Sequence, residues 1–166
     1  MGHHGARQLS PLFRKRPFQR NDRGGFDVHL DADSAAALSG LAPQFASLLE
    51  DPSNPSVARL FPPAYSQPGL EEAAEEYRRL MQADLVQAHR GELQLLANSA
   101  NAKSLSEQEL LAWVRALNCI RLVLGTWLGV SEDQERPRPT DSPEMHIYQW
   151  LTYLQGEAVE ALAEGS

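Results

Sequence analysis

The side chains able to do chemistry are few, and they are scattered. The chain has one cysteine, Cys119, and five histidines. His3 and His4 stand together near the start, too few for a metal site without ligands from elsewhere. His29 falls on a strand pattern, and His89 and His146 fall on helical patterns. Nowhere does H-x-x-x-H or H-x-x-E-H spacing aim two imidazoles at one ion. Neither G-x-x-x-x-G-K-S/T nor G-x-G-x-x-G occurs, so no phosphate-cradling loop is expected. Cys119 has no base near it in sequence and lies in an apolar helix pattern, which suits a small buried hydrophobe better than a nucleophile. The sequence therefore points away from an enzyme, and no metal or cofactor is expected.

The most conspicuous charge is Arg121, inside LNCIRLVLGTWLGV, the most hydrophobic run of the chain. Leu110, Val114, Leu117, Arg121, Leu124 and Leu128 follow helical 4–3–4–3–4 spacing, which puts the arginine among core positions. Burying a guanidinium unpaired costs several kcal/mol, more than the roughly 1.5–3 kcal/mol gained by burying a leucine beside it. Arg121 therefore needs a carboxylate, or its tip must reach water. Asp84, on the matching stripe of the preceding helix, is the expected partner, with Glu76 in reserve and Asn118 one turn before. An Arg121–Asp84 pair would fix helix register; the alternative is an arginine that binds an anion in a cleft.

Beside this stripe, Trp113, Ile120 and Trp127 form a second ridge at heptad spacing. Either the helix is central in the fold, or the ridge is a partner surface or homodimer seam anchored by tryptophans.

Charge is unevenly distributed. Residues 1–25 hold Arg7, Arg14, Lys15, Arg16, Arg20 and Arg23 against Asp22, a balance of +5; with −7 overall, the remainder carries −12. A basic arm on an acidic body can contact nucleic acid, here through Arg14, Lys15, Arg16, Arg20 and Arg23, or an acidic protein. It can equally be a solubilising terminus. The acidic body would repel a phosphate backbone wherever the arm does not reach.

The elements that position these residues are mainly helical. At 166 residues and 42% hydrophobic, one domain with a single core is expected. Residues 1–11 are expected to be a disordered basic arm and 12–164 a single helical domain. No run approaches the roughly 20 apolar residues of a membrane span, the start lacks a signal-peptide core, and one cysteine suits a reducing cytoplasm. A β-hairpin is expected from about Phe13 to Leu30, since FDVHL alternates and Gly24-Gly25 can make its turn.

Asp31 or Asp33 caps a first helix to about Glu50, in which Pro43 demands a kink or a break. The proline-rich stretch around Phe61 and Tyr65 reads as an extended loop. A second helix runs from about Leu70 to Ala97, with Leu70, Ala73, Tyr77, Leu80, Asp84, Ala88, Gly91 and Leu95 as its inward stripe and Glu71–Glu76 as a solvated face. Ser106 and Glu109 form a capping box opening a third helix from Glu107 to about Leu128, where Gly129 stops it. A polar loop follows, then a fourth helix from about Pro143 to Ala163. The fold class is mainly α, a four-helix bundle-like single domain with a short N-terminal β-hairpin.

Several blocks carry a family likeness: RLFPPAY, EYRRLMQADL, ALNCIRLVLGTWLGV and YQWLTYLQGEAVEAL, in that order. Over about residues 10–164 the chain resembles the actinobacterial family of uncharacterised proteins called domain of unknown function 2017. It departs from that family at Cys119, where an acidic residue is usual, and at Trp127, where an arginine is usual.

The resemblance implies a cytoplasmic protein with no established activity and no catalytic residues to carry over. It also implies a gene neighbourhood shared with the adaptor of the Clp protease, and some members bear a label of transcriptional regulator. The expected function is thus non-catalytic: protein–protein interaction or regulation with an unknown partner, with a tie to Clp-type proteostasis as what the resemblance implies. A nucleic-acid-binding transcriptional regulator using the basic N-terminal segment is the alternative.

Overall fold

A computed structural model of the chain describes residues 15–51, 54–61, 68–129 and 142–164. The expected disordered arm, residues 1–11, and Arg14 lie outside the described residues.

Two short strands open the domain: β1, Phe18–Arg20, and β2, Gly25–Val28, paired antiparallel with Phe18 opposite Val28. The turn between them is held by the Asn21 side-chain oxygen, which accepts from the Arg23 and Gly25 amides at 2.9 and 3.1 Å. Of the two glycines in this turn, Gly24 takes the left-handed conformation, at φ 84°. Gly25 serves a different need, since a Cβ there would lie 2.6 Å from the Leu105 carbonyl oxygen. That carbonyl belongs to β3, Ser104–Ser106, which pairs with β2 and makes the hairpin a three-stranded antiparallel sheet. Phe18, Phe26 and Leu105 turn inward from the sheet and are buried. A lone hairpin is marginal in water; here the third strand and the helices beneath supply what it lacks.

Helix α1, Ala32–Leu48, begins at Asp31, whose carboxylate accepts the Ser34 amide at 2.7 Å. It runs through Pro43 without the break that was one of the two expected outcomes there. The Pro43 ring sits on the exposed side, and the next residues resume the helix, with Phe45 buried. A 3₁₀ turn, Pro55–Leu60, follows and packs on the third helix through Val57.

Helix α2, Glu71–Ser99, is the longest, and its buried residues are Leu93 and Leu96 near its end. Helix α3, Glu107–Leu128, starts directly from β3. Its capping box is complete, the Glu109 amide donating to Ser106 Oγ at 3.1 Å and the Ser106 amide to Glu109 Oε1 at 2.8 Å. Gly129 ends it at φ 75°, the left-handed conformation glycine adopts most easily. Helix α4, Pro143–Glu164, packs along α3, which also contacts α2 and the 3₁₀ turn.

α3 therefore sits at the centre of the core, with nine buried residues. It has the length and mean apolarity of a membrane span, which the run-by-run reading of the sequence did not anticipate. Half of that apolar window is buried against the rest of the domain.

Candidate interaction surface

Arg121 lies in the seam between α3 and α4, half-buried rather than in the core. Its Nε donates to Thr152 Oγ1 at 2.9 Å, and Nη1 donates to Gln155 Oε1 at 2.6 Å and to Asn118 Oδ1 at 3.4 Å. The guanidinium carbon lies 5.5 Å from the centroid of the Tyr148 ring. Tyr148, Thr152 and Gln155 recur at helical spacing and so share one face of α4. Gln155 also donates to the Val114 carbonyl at 3.4 Å, tying the network back to α3.

The expected Arg121–Asp84 pair is thus corrected. Asp84 is exposed on α2, and Arg121 is satisfied by an amide, a hydroxyl and a ring face. The physical reason is location: a guanidinium at a partly wetted seam keeps part of its hydration and does not require a counter-charge. Asn118 does belong to the cluster. With Nε and Nη1 directed at acceptors on both helices, this arginine acts as a helix clamp.

The tryptophan ridge divides along its length. Trp113 and Ile120 are fully buried, so these two are core residues and not interface. Trp113 meets Phe18 edge to face at 5.7 Å, and its Nε1 donates to Ser99 Oγ at 2.8 Å. That hydroxyl in turn donates to the Leu95 carbonyl at 2.6 Å, so one relay joins α3 to α2. Trp127, at the far end, is 50% exposed; it stacks obliquely on Phe45 and donates to the Ser56 hydroxyl.

The basic residues near the start are largely engaged by the acidic body. Arg16 bonds Glu164 at 2.8 Å and Glu157 at 3.4 Å, both on α4. Arg20 faces Glu107 at 3.7 Å and covers the Phe26 ring, and Arg23 faces Asp27 at 3.4 Å. Lys15 is exposed.

Cys119 is buried between α2 and α3, and burial, followed by the nearby Glu92 carboxylate, pushes its thiol up to about 12. Glu92 itself lies 3.5 Å from His89 Nδ1 and 3.9 Å from Arg115 Nε. Among the described residues no polar or charged residue is buried, and no group of three or more His, Cys, Asp or Glu gathers as for a metal. Among the described residues, an open depression lined by Asp27, His29, Asp31 and Lys103 lies beside β2.

The largest departure from expectation is on α2. Most of the predicted inward stripe faces solvent: Tyr77 is 66% exposed, Leu80 63% and Leu70 53%, and Met81, outside that stripe, is 36% exposed beside them. The face that packs instead carries Leu85, Val86, His89, Leu93 and Leu96, rotated around the helix by roughly one residue's turn of 100°. The first three turns of α2 contribute no buried residue.

Taken together these features define a mainly helical domain whose distinguishing surface is an exposed apolar helix face. The chain belongs to the family described as domain of unknown function 2017, whose model matches residues 15–162. It is similar to a protein of Mycobacterium leprae named putative oxidative stress regulator AosR, 32% identical over 133 residues, covering 67% of this chain and 59% of that protein. Oxidative stress regulator AosR of Mycobacterium bovis and of Mycobacterium tuberculosis are each 28% identical over 122 residues, covering 63% of this chain and 56% of theirs. The chain thus spans less than two thirds of the length of these relatives. No solved structure matches it.

Proposed function

We propose that this chain is a non-catalytic, cytoplasmic regulatory protein that acts by contacting another protein. The observation that carries this reading is the exposure of Leu70, Tyr77, Leu80 and Met81 on one side of α2. Scattered surface leucines need no explanation, but large apolar side chains grouped on one helix face favour a partner. The names of the mycobacterial relatives support regulation as the role. The regulation we propose does not run through Cys119: its thiol is inaccessible and held protonated, and the chain offers it no second cysteine.

The nucleic-acid reading has less support. Arg16, Arg20 and Arg23 already face carboxylates, which reduces the positive field they offer a phosphate.

Affinity capture of the full chain from its native host tests the proposal, run with and without the Clp machinery and beside a duplex-DNA binding assay at low and high salt. A protein partner retained at high salt and after removal of residues 1–25 is expected. Salt-sensitive DNA binding lost on that truncation, without a protein partner, would overturn it.

A further inference from the structure

We propose that the first three turns of α2 are a conformational switch: residues Glu71 to Leu80 melt and re-form as helix while the rest of the domain stays folded. The inference concerns the chain's own equilibrium and goes beyond the protein-contact reading, because it makes the open apolar face conditional on that equilibrium.

Most of what holds a helix in a domain is the face it packs. The inward positions of these turns are Ala74, Arg78 and, just beyond, Gln82, each half-buried and none a large apolar side chain. Among the described residues, Val86 is the first large apolar side chain of α2 to pack on the core, and full burial begins at Leu93. Leu70, Tyr77, Leu80 and Met81 are exposed in the folded chain, so melting this stretch uncovers little further apolar surface.

Polar contacts do not replace the missing burial. Arg78 pairs with Glu75 of the same helix, from 2.6 Å, and the Ala74 amide donates to the Leu70 carbonyl at 2.9 Å. Among the described residues, no hydrogen bond or ion pair joins residues 71–80 to another element. Leu70, at the N-cap, provides no side-chain acceptor for the first amides. The other half of α2 is tied at several points. Arg90 faces Glu50 beyond the end of α1 at 3.9 Å, Glu92 faces Arg115 of α3 at 3.9 Å, and Ser99 accepts from Trp113 at 2.8 Å.

The magnitudes separate the two halves. Each residue added to an existing helix multiplies its population by about 1–1.6 near 0 °C, so from Ala74 to Leu80 the product stays below roughly 30. Unfolding of a whole small domain is opposed by about 10³–10⁸. The end of α2 therefore opens long before the core does. Tyr77, Leu80 and Met81 stand three and four residues apart and converge on one side only while these turns are helical. Melting disperses them, so the switch sets how often the apolar face is presented.

Native-state hydrogen exchange of the full chain, read residue by residue by NMR, tests the inference. Amides of residues 74–80 should be protected no more than about a hundredfold, with no dependence on low urea. Those of Leu93 and Leu96 should be at least about a thousandfold better protected and should exchange through global unfolding. Two glycine substitutions at exposed sites of α2 separate local from global effects. Glu76→Gly should speed exchange within residues 74–80 up to about fivefold and leave the Tm unchanged. Ala88→Gly, in the packed half, should lower the Tm and leave exchange within residues 74–80 unchanged.

Equal protection in the two halves would overturn the proposal. So would a Tm lowered as much by Glu76→Gly as by Ala88→Gly, which would show that the whole helix folds as one unit with the core. The measurement uses the chain alone, so its outcome is separate from the capture of a partner.

Discussion

Arg121 and Gln155 meet across the seam of α3 and α4, with Nη1 donating to Oε1 at 2.6 Å. A charge set in a greasy helix is thereby satisfied without an opposite charge. The neutral acceptors Gln155 and Thr152 and the face of Tyr148 hold it where water still reaches. The arginine fixes how the two helices slide against each other.

Replacing Arg121 with alanine should destabilise the domain by about 1–2 kcal/mol, the scale of hydrogen bonds to a charged group at a partly wetted site. Asp84→Ala should leave the melting temperature unchanged. In a double-mutant cycle with Gln155→Ala the coupling should be about 1 kcal/mol. Additive effects would remove the clamp.

The two tryptophans should behave oppositely. Trp113→Ala empties a fully buried site and should cost about 3–5 kcal/mol in urea unfolding. Ser99→Ala strands the indole N–H and should cost about 1–3 kcal/mol. Trp127→Ala, at a half-exposed position, should cost clearly less than Trp113→Ala. Equal losses would show that Trp127 is as structural as Trp113.

Cys119 should be inert in the folded chain. With the thiol raised from 9.0 to about 12, thiolate is suppressed roughly a thousandfold below pH 9, and burial blocks access as well. Labelling with a thiol reagent should be absent in native buffer and complete in denaturant. Because the folded value is the higher one, the neutral thiol contributes stability that is full below 9.0 and is lost as pH climbs toward 12. Rapid native labelling at neutral pH would contradict this picture.

Gly25→Ala should disrupt the sheet, because a methyl group cannot occupy a position 2.6 Å from the Leu105 carbonyl oxygen. Separating β2 from β3 should cost about 1–3 kcal/mol. Nothing lies within 4 Å of a Cβ at Gly24, so Gly24→Ala should cost only the strain of its φ of 84°. Thermal melts of the two variants give the comparison, and equal melting temperatures would remove the distinction.

The helices were legible in the sequence because their ends carry local chemistry. Ser106 with Glu109, Asp31 with Ser34, and Gly129 act within a few residues of themselves. What escaped depends on distance. β3 has one inward residue, Leu105, too little for an alternating pattern to register. The partners of Arg121 lie 31 and 34 residues away and are uncharged, so a search for a counter-ion passes over them. The phase of α2 is ambiguous in the sequence for a more informative reason. Tyr77, Leu80 and Met81 give the helix a second apolar face, and periodicity alone does not say which face the core takes. The face it leaves open is the candidate site.

The most direct test of the central claim places a photocrosslinking amino acid at position 77 on the open face of α2 and, as a control, at exposed position 160 on α4, in the native host. The account predicts an adduct with a different protein from position 77 and none from position 160. Equal adducts from both positions, none from either, or only a self-adduct from position 77 would contradict it.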